Sequence, residues 1–339
     1  MTDMEPRVIP STMQAIDFES FGDPSVLRHV TVATPEIRPN DLLVQVRAAG
    51  VNRADLNQRQ GKYGKSASFG DSSLLGLEIA GEVVAMGAAV TGFSIGERVM
   101  GIVGGGAYAQ YARIDAGMAI PVPDTLDDVE AAAVTEAFVT AHQALIHLGK
   151  LAPGEKVLIH GAGGGVGSSL VQLALLAGAG KVITTSSRSK RERLLGMGVH
   201  LAIDYQSEDF QEVIAGQVEG GSVDVIIDIL GGPYLERNIR SLSAGGRLIQ
   251  IGTQGGASGT LPVDLVLQRR LRIEGTVMKS VTQEEKRNMT ERFRSRWIAD
   301  IRSKKLRPII DRTFALADAE KAHRAMENSE NFGKLVLIP

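Results

Sequence analysis

The hydrophobic positions of this chain change rhythm twice. From Met13 to about Pro123, short apolar or alternating runs recur at 14–18, 29–32, 42–46, 78–84, 98–100 and 108–112. Period-two alternation punctuated by Gly and Pro predicts the strands of a compact, barrel-like β domain. Helical patterning begins near Asp127, in the Ala-rich stretch 129–133, and continues through 141–145. From Val157 strands and helices alternate. Six apolar runs, at 157–160, 181–185, 201–205, 223–230, 247–252 and 271–277, are separated by helical segments that include 210–217, 234–242 and 263–270. That order predicts an α/β domain built on a doubly wound parallel sheet with helices on both faces. The unbroken Val225-Ile226-Ile227 reads as a central strand buried on both sides.

After Lys279 the texture changes again. Met289, Phe293, Trp297 and Ile301 recur every fourth residue, which predicts a helix over 284–304 with one apolar face. Thr313-Phe314, a helix over 318–326 and a strand over 335–338 close the chain. We expect this tail to rejoin the first domain. The expected division is a β-rich domain of residues 13–137 and 279–339, a dinucleotide-binding domain of residues 138–278, and a flexible arm of residues 1–12.

One segment carries chemistry. The strand Val157-Leu158-Ile159-His160 runs into Gly161-Ala162-Gly163-Gly164-Gly165-Val166-Gly167 and then into a helical pattern. Glycines there allow a tight turn and close backbone approach, so the helix N-terminus can present N–H groups to a pyrophosphate. About 20 residues past such glycines, an NAD site usually carries Asp or Glu for the ribose 2′-hydroxyl. Here the next strand ends in Ser186-Ser187-Arg188-Ser189-Lys190. Hydroxyls and cations attract a 2′-phosphate, so the expected cofactor is NADPH.

Composition narrows the remaining classes. The 339 residues suffice for two domains, and 43% hydrophobic with 22% charged residues is the balance of a globular protein. A net charge of −2 gives no general attraction to nucleic acid or anionic membranes. The absence of cysteine excludes disulfides, Cys-ligated zinc and a thiol nucleophile. The first residues carry acids and no apolar core, and no uncharged run reaches the ~18 residues of a membrane span. A cytoplasmic location, with no membrane or nucleic-acid partner, is therefore expected.

The run Val51-Asn52-Arg53-Ala54-Asp55-Leu56-Asn57-Gln58-Arg59-Gln60-Gly61-Lys62-Tyr63, followed by Leu75-Gly76-Leu77-Glu78-Ile79-Ala80-Gly81, joins the glycine turn in a wider pattern. Together they resemble the quinone oxidoreductase branch of the medium-chain dehydrogenase/reductase superfamily, from about Met13 to the closing Phe332-Gly333-Lys334. The resemblance implies a Rossmann sheet plus a β-rich GroES-like catalytic domain. It also implies no zinc, because Asn52 stands where zinc relatives carry Cys, and Leu77 where they carry His. His142 and His147, five apart, point to different helix faces and do not restore a metal site.

For the cofactor, the resemblance matches Gly164, Gly165, Val166 and Gly167 to the pyrophosphate turn. It matches Ser186, Ser187 and Lys190 to the 2′-phosphate pocket, with Tyr205 as aromatic partner. Arg188 joins them on charge placement. Thr140 belongs to a stretch that lies under the nicotinamide in relatives, and Phe332 and Lys334 to a C-terminal segment that folds back near the cofactor, while Gly252 and Thr253 end a strand at the carboxyl edge, where open α/β sheets bind ligands. For the substrate, Asn52 and Tyr63 are the catalytic candidates. An amide can orient the nicotinamide or a carbonyl oxygen, and a phenol can donate to an oxygen that gains charge as hydride arrives.

The expected function is an NADPH-dependent reductase of quinones. Reduction of activated C=C bonds in enals or enones is the alternative on the same hydride geometry. An NADPH-binding structural, sensing or nucleic-acid-binding protein is the rival from another class. Its only support is the basic stretch of residues 286–307, which reads more simply as a solvated helix face. Relatives are usually homodimers, and 271–277 is a plausible edge for pairing.

Overall fold

The computed structural model describes residues 8–62 and 71–339. Cα packing divides the chain into two units, Met1–Glu136 with Lys279–Pro339, and Ala137–Met278.

The first unit begins with β1 (Thr12–Asp17) and β2 (Arg28–Ala33), an antiparallel pair. Then come β3 (Asp41–Val51), α1 (Arg53–Arg59), β4 (Glu78–Met86), β5 (Arg98–Ile102), β6 (Tyr111–Asp115), β7 (Ala119–Pro121) and α2 (Asp128–Ala131). Helix α3 (Thr135–His142) holds the division between the units and continues into a wider π turn, Gln143–Leu148.

The second unit contains β8 (Lys156–His160), α4 (Gly165–Leu176), β9 (Lys181–Ser186), α5 (Arg191–Gly196), β10 (Leu201–Asp204) and α6 (Phe210–Gln217). It continues through β11 (Val223–Asp228), α7 (Leu235–Ser241), β12 (Leu242–Gln250), α8 (Val263–Arg269) and β13 (Arg272–Gly275). Its six strands are parallel in the order β10-β9-β8-β11-β12-β13. Leu158, Ile183, Ile203 and Ile226 from the strands pack with Phe210, Ile214 and Ile239 from the helices in one fully buried cluster. Each β–α–β step returns to the same sheet, so every helix must lie on a face, and the strands become apolar on both sides.

The chain then returns to the first unit with α9 (Gln283–Arg302), β14 (Ile310–Ala315), α10 (Ala319–Glu327) and β15 (Lys334–Ile338). The sheet order there is β14-β15-β3-β4-β5-β7, with β6 also on β3. Strand β3 serves three partners: β4 along one edge, then β6 on 41–45 and β15 on 49–51 along the other. Bulges between Leu43 and Val44 and between Val46 and Ala48 break its ladder with β4, and such bulges bend a strand as a barrel-like sheet requires.

Several expectations shift. The run 108–112 becomes a strand only from Tyr111: Tyr108 turns its hydroxyl into a buried polar cluster, its carbonyl accepts from the Ile16 N–H (2.8 Å), and its N–H donates to the Leu75 carbonyl (3.0 Å). The strand expected at 223–230 stops at Asp228, whose carboxylate accepts the N–H groups of Leu230 (2.6 Å) and Gly231 (3.1 Å) and turns the chain. The edge strand expected over 271–277 covers only Arg272–Gly275. The arm expected through residue 12 is tied down earlier: Thr34 donates to the carbonyls of Pro10 and Ser11. Among the described residues, no helix is long and apolar enough to cross a membrane.

Candidate active site

The glycine turn lies where the sequence places it, between β8 and α4. Gly164 precedes α4 in extended conformation and no side chain caps the helix, so its first N–H groups are left for a ligand. Gly167 is required by contact. A Cβ there would meet the Gly161 carbonyl oxygen at 2.4 Å and the Ala162 Cα at 2.6 Å. Gly164, by contrast, has only the Gly161 oxygen within reach, at 3.7 Å, which leaves its outer face open. This backbone cradle fits a dinucleotide pyrophosphate.

The end of β9 carries the residues that the sequence assigned to a 2′-phosphate. Ser186 is buried, and Tyr205 is held next to it by the bond from its N–H to the Ser186 carbonyl, 3.2 Å. Ser187 and Ser189 share a hydroxyl contact of 3.2 Å. Arg188 is exposed, and the Lys190 stem lies across Gly163, where a Cβ would meet its Cδ at 2.4 Å. Asp204 on β10 lies in register with Ser186. Its carboxylate is turned to Ser207 (2.8 Å) and the Gln206 N–H (3.2 Å), and those bonds, with Arg188 and Arg191, hold it below the usual range.

A buried polar line crosses the sheet beneath the turn. Thr185 Oγ1 contacts His160 Nδ1 (2.9 Å), His160 Nε2 contacts Asn238 Oδ1 (2.8 Å), and Asn238 Nδ2 donates to Asp228 (2.9 Å). Burial pushes the His160 pKa down, so the ring is neutral and each nitrogen has one partner. Gly252 lies over the Ile229 carbonyl and takes the Gln250 amide at 2.5 Å, while Thr253 is exposed beyond it. Thr140 is half-buried on α3.

The second constellation lies wholly in the first unit. Asn52 precedes α1, and its N–H donates to the Asp55 carboxylate at 2.8 Å. Its amide does not cap the helix. Nδ2 donates to Glu78 Oε1 (2.9 Å), and Oδ1 accepts from Lys334 Nζ (2.6 Å), so the amide offered for a substrate already has partners at both ends. Lys334, 3% exposed, also forms an ion pair with the fully buried Glu78. The other Glu78 oxygen takes the Glu136 N–H at 2.9 Å and the Thr135 hydroxyl at 3.5 Å. Phe332 is buried on the same strand connection, its N–H donated to Asp311. Tyr63 lies outside the described residues.

Beyond Asn52, the Tyr108 hydroxyl contacts Asp55 (2.9 Å) and His323 Nε2 (3.1 Å). Burial pushes Asp55 up to about 7 against the pull of its hydrogen bonds, and burial with Arg59 and Arg53 pushes His323 down to about 3. Burial and the Glu78 charge push Glu136 up to about 8. Sequence reasoning missed Asp55, Glu78, Tyr108, Glu136 and His323 as site residues. A signal was present for Glu78 and Glu136, since each is a lone acid within an apolar run. Among the described residues, no three His, Asp or Glu side chains come together as a metal site would need.

Two family models match the chain. One, described as an alcohol dehydrogenase GroES-like domain, covers residues 38–124, and one, described as a zinc-binding dehydrogenase, covers residues 197–337. Quinone oxidoreductase of Rattus norvegicus is 31% identical over 330 residues, 96% of this chain and 98% of that protein. Mycocerosic acid synthase-like polyketide synthase of Mycobacterium tuberculosis is 32% identical over 300 residues. That match takes in 88% of this chain but only 14% of that far longer protein. The crystal structure of CurK enoyl reductase superposes with a TM-score of 0.85 at 26% identity, covering 97% of this chain and 99% of the other.

Proposed function

Because the chain belongs to the medium-chain dehydrogenase/reductase superfamily, in the branch that holds the quinone oxidoreductases, we propose that it is a zinc-independent reductase transferring hydride from NADPH to quinones. Members of this superfamily are nicotinamide-dinucleotide-dependent oxidoreductases. One observation carries the choice of dinucleotide. The end of β9 offers Ser186, Ser187, Arg188 and Lys190 and no carboxylate of its own. Those groups suit a 2′-phosphate, whereas an NAD site wants an acid to accept from the ribose hydroxyl.

When bound, NADPH supplies the hydride, and the protein supplies position and electrostatics. Gly164, Gly165, Val166 and Gly167 would hold the pyrophosphate. Ser186, Ser187, Arg188 and Lys190 would hold the 2′-phosphate, with Tyr205 beside them. Thr140, Gly252 and Thr253 would serve the nicotinamide half, and Phe332 and Lys334 keep the cofactor role that the family resemblance implies. Asn52, the other catalytic candidate, fixes Lys334 and Glu78 through its amide. Tyr63 is the proposed donor to the substrate oxygen. The zinc-independent reading is supported by Asn52 and Leu77 at the places of metal-binding side chains, and by the Lys334 ammonium lying on Asn52 and Glu78.

The likeness to CurK enoyl reductase supports a second reading, reduction of an activated C=C bond. NADPH oxidation measured across a quinone panel and an enone panel, with NADH as control, separates the two. Faster turnover of enones than of any quinone would replace the first reading with the second. Equal use of NADH would overturn the choice of cofactor.

The nucleic-acid rival loses its support at the helix that suggested it. Arg287 pairs with Asp115, Arg292 with Glu285, Arg294 with Glu291 and Arg307 with Glu130, so these cations balance local acids. We propose a homodimer formed through β13. This edge strand is exposed along its length, and Val263 (66%), Leu267 (78%) and Ile273 (42%) leave apolar surface on and beside it.

A further inference from the structure

The buried line of Thr185, His160, Asn238 and Asp228 ties together three strand ends of the second unit. His160 ends β8 and precedes the glycine turn, Thr185 stands opposite it on β9 and precedes Ser186, and Asp228 ends β11. Thr185 holds the turn at two points. Its carbonyl accepts the Ala162 N–H (3.2 Å), and its hydroxyl meets His160 Nδ1 (2.9 Å). Asp228 holds the end of β12 as well, since its carbonyl accepts the Ile251 N–H (2.8 Å) and the Gln250 side-chain amide (3.0 Å). All four residues are buried. Phe210 and Tyr234 meet the imidazole edge-on, with ring centroids 4.8 and 5.0 Å away, and so hold its plane.

The line has a direction. The Asp228 carboxylate already takes the Leu230 and Gly231 N–H groups and can only accept, so Asn238 must give it Nδ2 (2.9 Å). Asn238 Oδ1 is then turned to His160, whose Nε2 must carry the ring proton. Nδ1 is left as an acceptor, and the Thr185 hydroxyl must donate to it. One carboxylate thus orients three side chains in succession. A buried network in which every such bond is satisfied holds one arrangement against its alternatives.

We propose that His160 is a positioning residue for the dinucleotide. Kept as the Nε2–H tautomer by Asp228 through Asn238, it latches Thr185 and so sets the spacing between the glycine turn and the Ser186–Lys190 segment. This rests on the cofactor reading above and deepens it. His160 acts through Thr185 and needs no contact with the cofactor, as outer groups do when they orient the inner ones. NADPH uses both segments at once, the turn for its pyrophosphate and the end of β9 for its 2′-phosphate. NADH has no phosphoryl group for the second segment. Loosening the latch therefore penalises NADPH and spares NADH.

The test uses the full-length protein and two independent readouts. The first is calorimetric affinity for NADPH and NADH. Thr185→Val, which keeps the branched shape and removes the hydroxyl, should weaken NADPH binding about 10-fold and change NADH binding by less than about twofold. Thr185→Ser, which keeps the hydroxyl, should recover most of the NADPH affinity. The second readout is the tautomer of His160, read from nitrogen chemical shifts in protein labelled with 15N-histidine, with His160→Leu identifying the signal. The parent ring should be Nε2–H. Asp228→Asn puts an amide N–H₂ opposite Asn238, which must then turn its own oxygen towards residue 228 and its Nδ2 towards His160. The ring should respond by moving its proton to Nδ1. A parent ring found as Nδ1–H, or one unmoved by Asp228→Asn, would overturn the proposal. So would a Thr185→Val protein that melts earlier but keeps the parent ratio of NADPH to NADH affinity, because the hydroxyl would then serve stability alone. A parent protein that binds neither dinucleotide would overturn the cofactor reading, and the positioning role with it.

Discussion

Asp55, Tyr108 and His323 form a buried line in which two titrating groups have moved in opposite directions. Asp55 in the folded protein holds its proton to about 7, against an ordinary 3.8. Between these values the folded state binds a proton that the unfolded state has released, so stability falls as pH rises through that window. His323 titrates near 3 instead of 6.5. The unfolded state therefore takes up the extra proton first, and stability falls as pH drops through that range. From about 4 to 6.5 the two slopes oppose each other, and above 6.5 only the carboxyl's remains. Asp55→Asn, whose amide oxygen still accepts from Asn52, should raise the melting temperature at pH 8 by about 5 °C and much less at pH 4. His323→Gln should help only in acid. Thermal melts at pH 4, 5.5 and 8 check both signs. At the other grip, Lys190→Ala should weaken NADPH binding about 10-fold and leave NADH unchanged, as calorimetry would show.

At the scale of elements, the turn and helix between β8 and β9 depend on absent side chains. Gly167→Ala sets a methyl group against the Gly161 carbonyl, which is backbone and cannot swing aside. It should cost about 1–3 kcal/mol in chemical denaturation and weaken dinucleotide binding at the same time. Most of this architecture was legible beforehand, because strands buried on both faces are apolar throughout and the helix faces repeat every fourth residue. Trp297 and Phe293 are buried as that spacing requires. Short pieces escaped for a physical reason. The three residues of β7 carry no periodicity, and α1 hides its polar residues, Asp55, Gln58 and Arg59, inside the protein instead of outside. The glycine turn was legible because a tight strand-to-helix turn is written in contiguous residues. The Glu78–Lys334 pair was not, because its members are 256 residues apart and only β15 lying on β3 brings them together.

For the whole molecule, the parallel sheet ends at β13, which pairs with β12 along one edge and with no other strand among the described residues. Pairing of two such edges would continue the sheet through a second copy, and the apolar side chains of α8 and β13 would be covered with it. Ile273→Lys places a charge on that surface without disturbing a buried contact. It should shift the protein from dimer to monomer in sedimentation equilibrium while leaving the melting temperature of the monomer within about 2 °C. A parent protein that sediments as a monomer at micromolar concentration would remove the edge from consideration.

The late arrival of Lys334 bears on how the chain comes off the ribosome. Glu78 and its strand emerge early, but the ammonium that neutralises it is supplied by a residue 256 positions later in the chain. Until β15 joins β3, Glu78 lacks that counter-ion and β3 lacks its partner at 49–51. The middle unit, whose six strands are contiguous in sequence, waits on no such distant partner and can condense first.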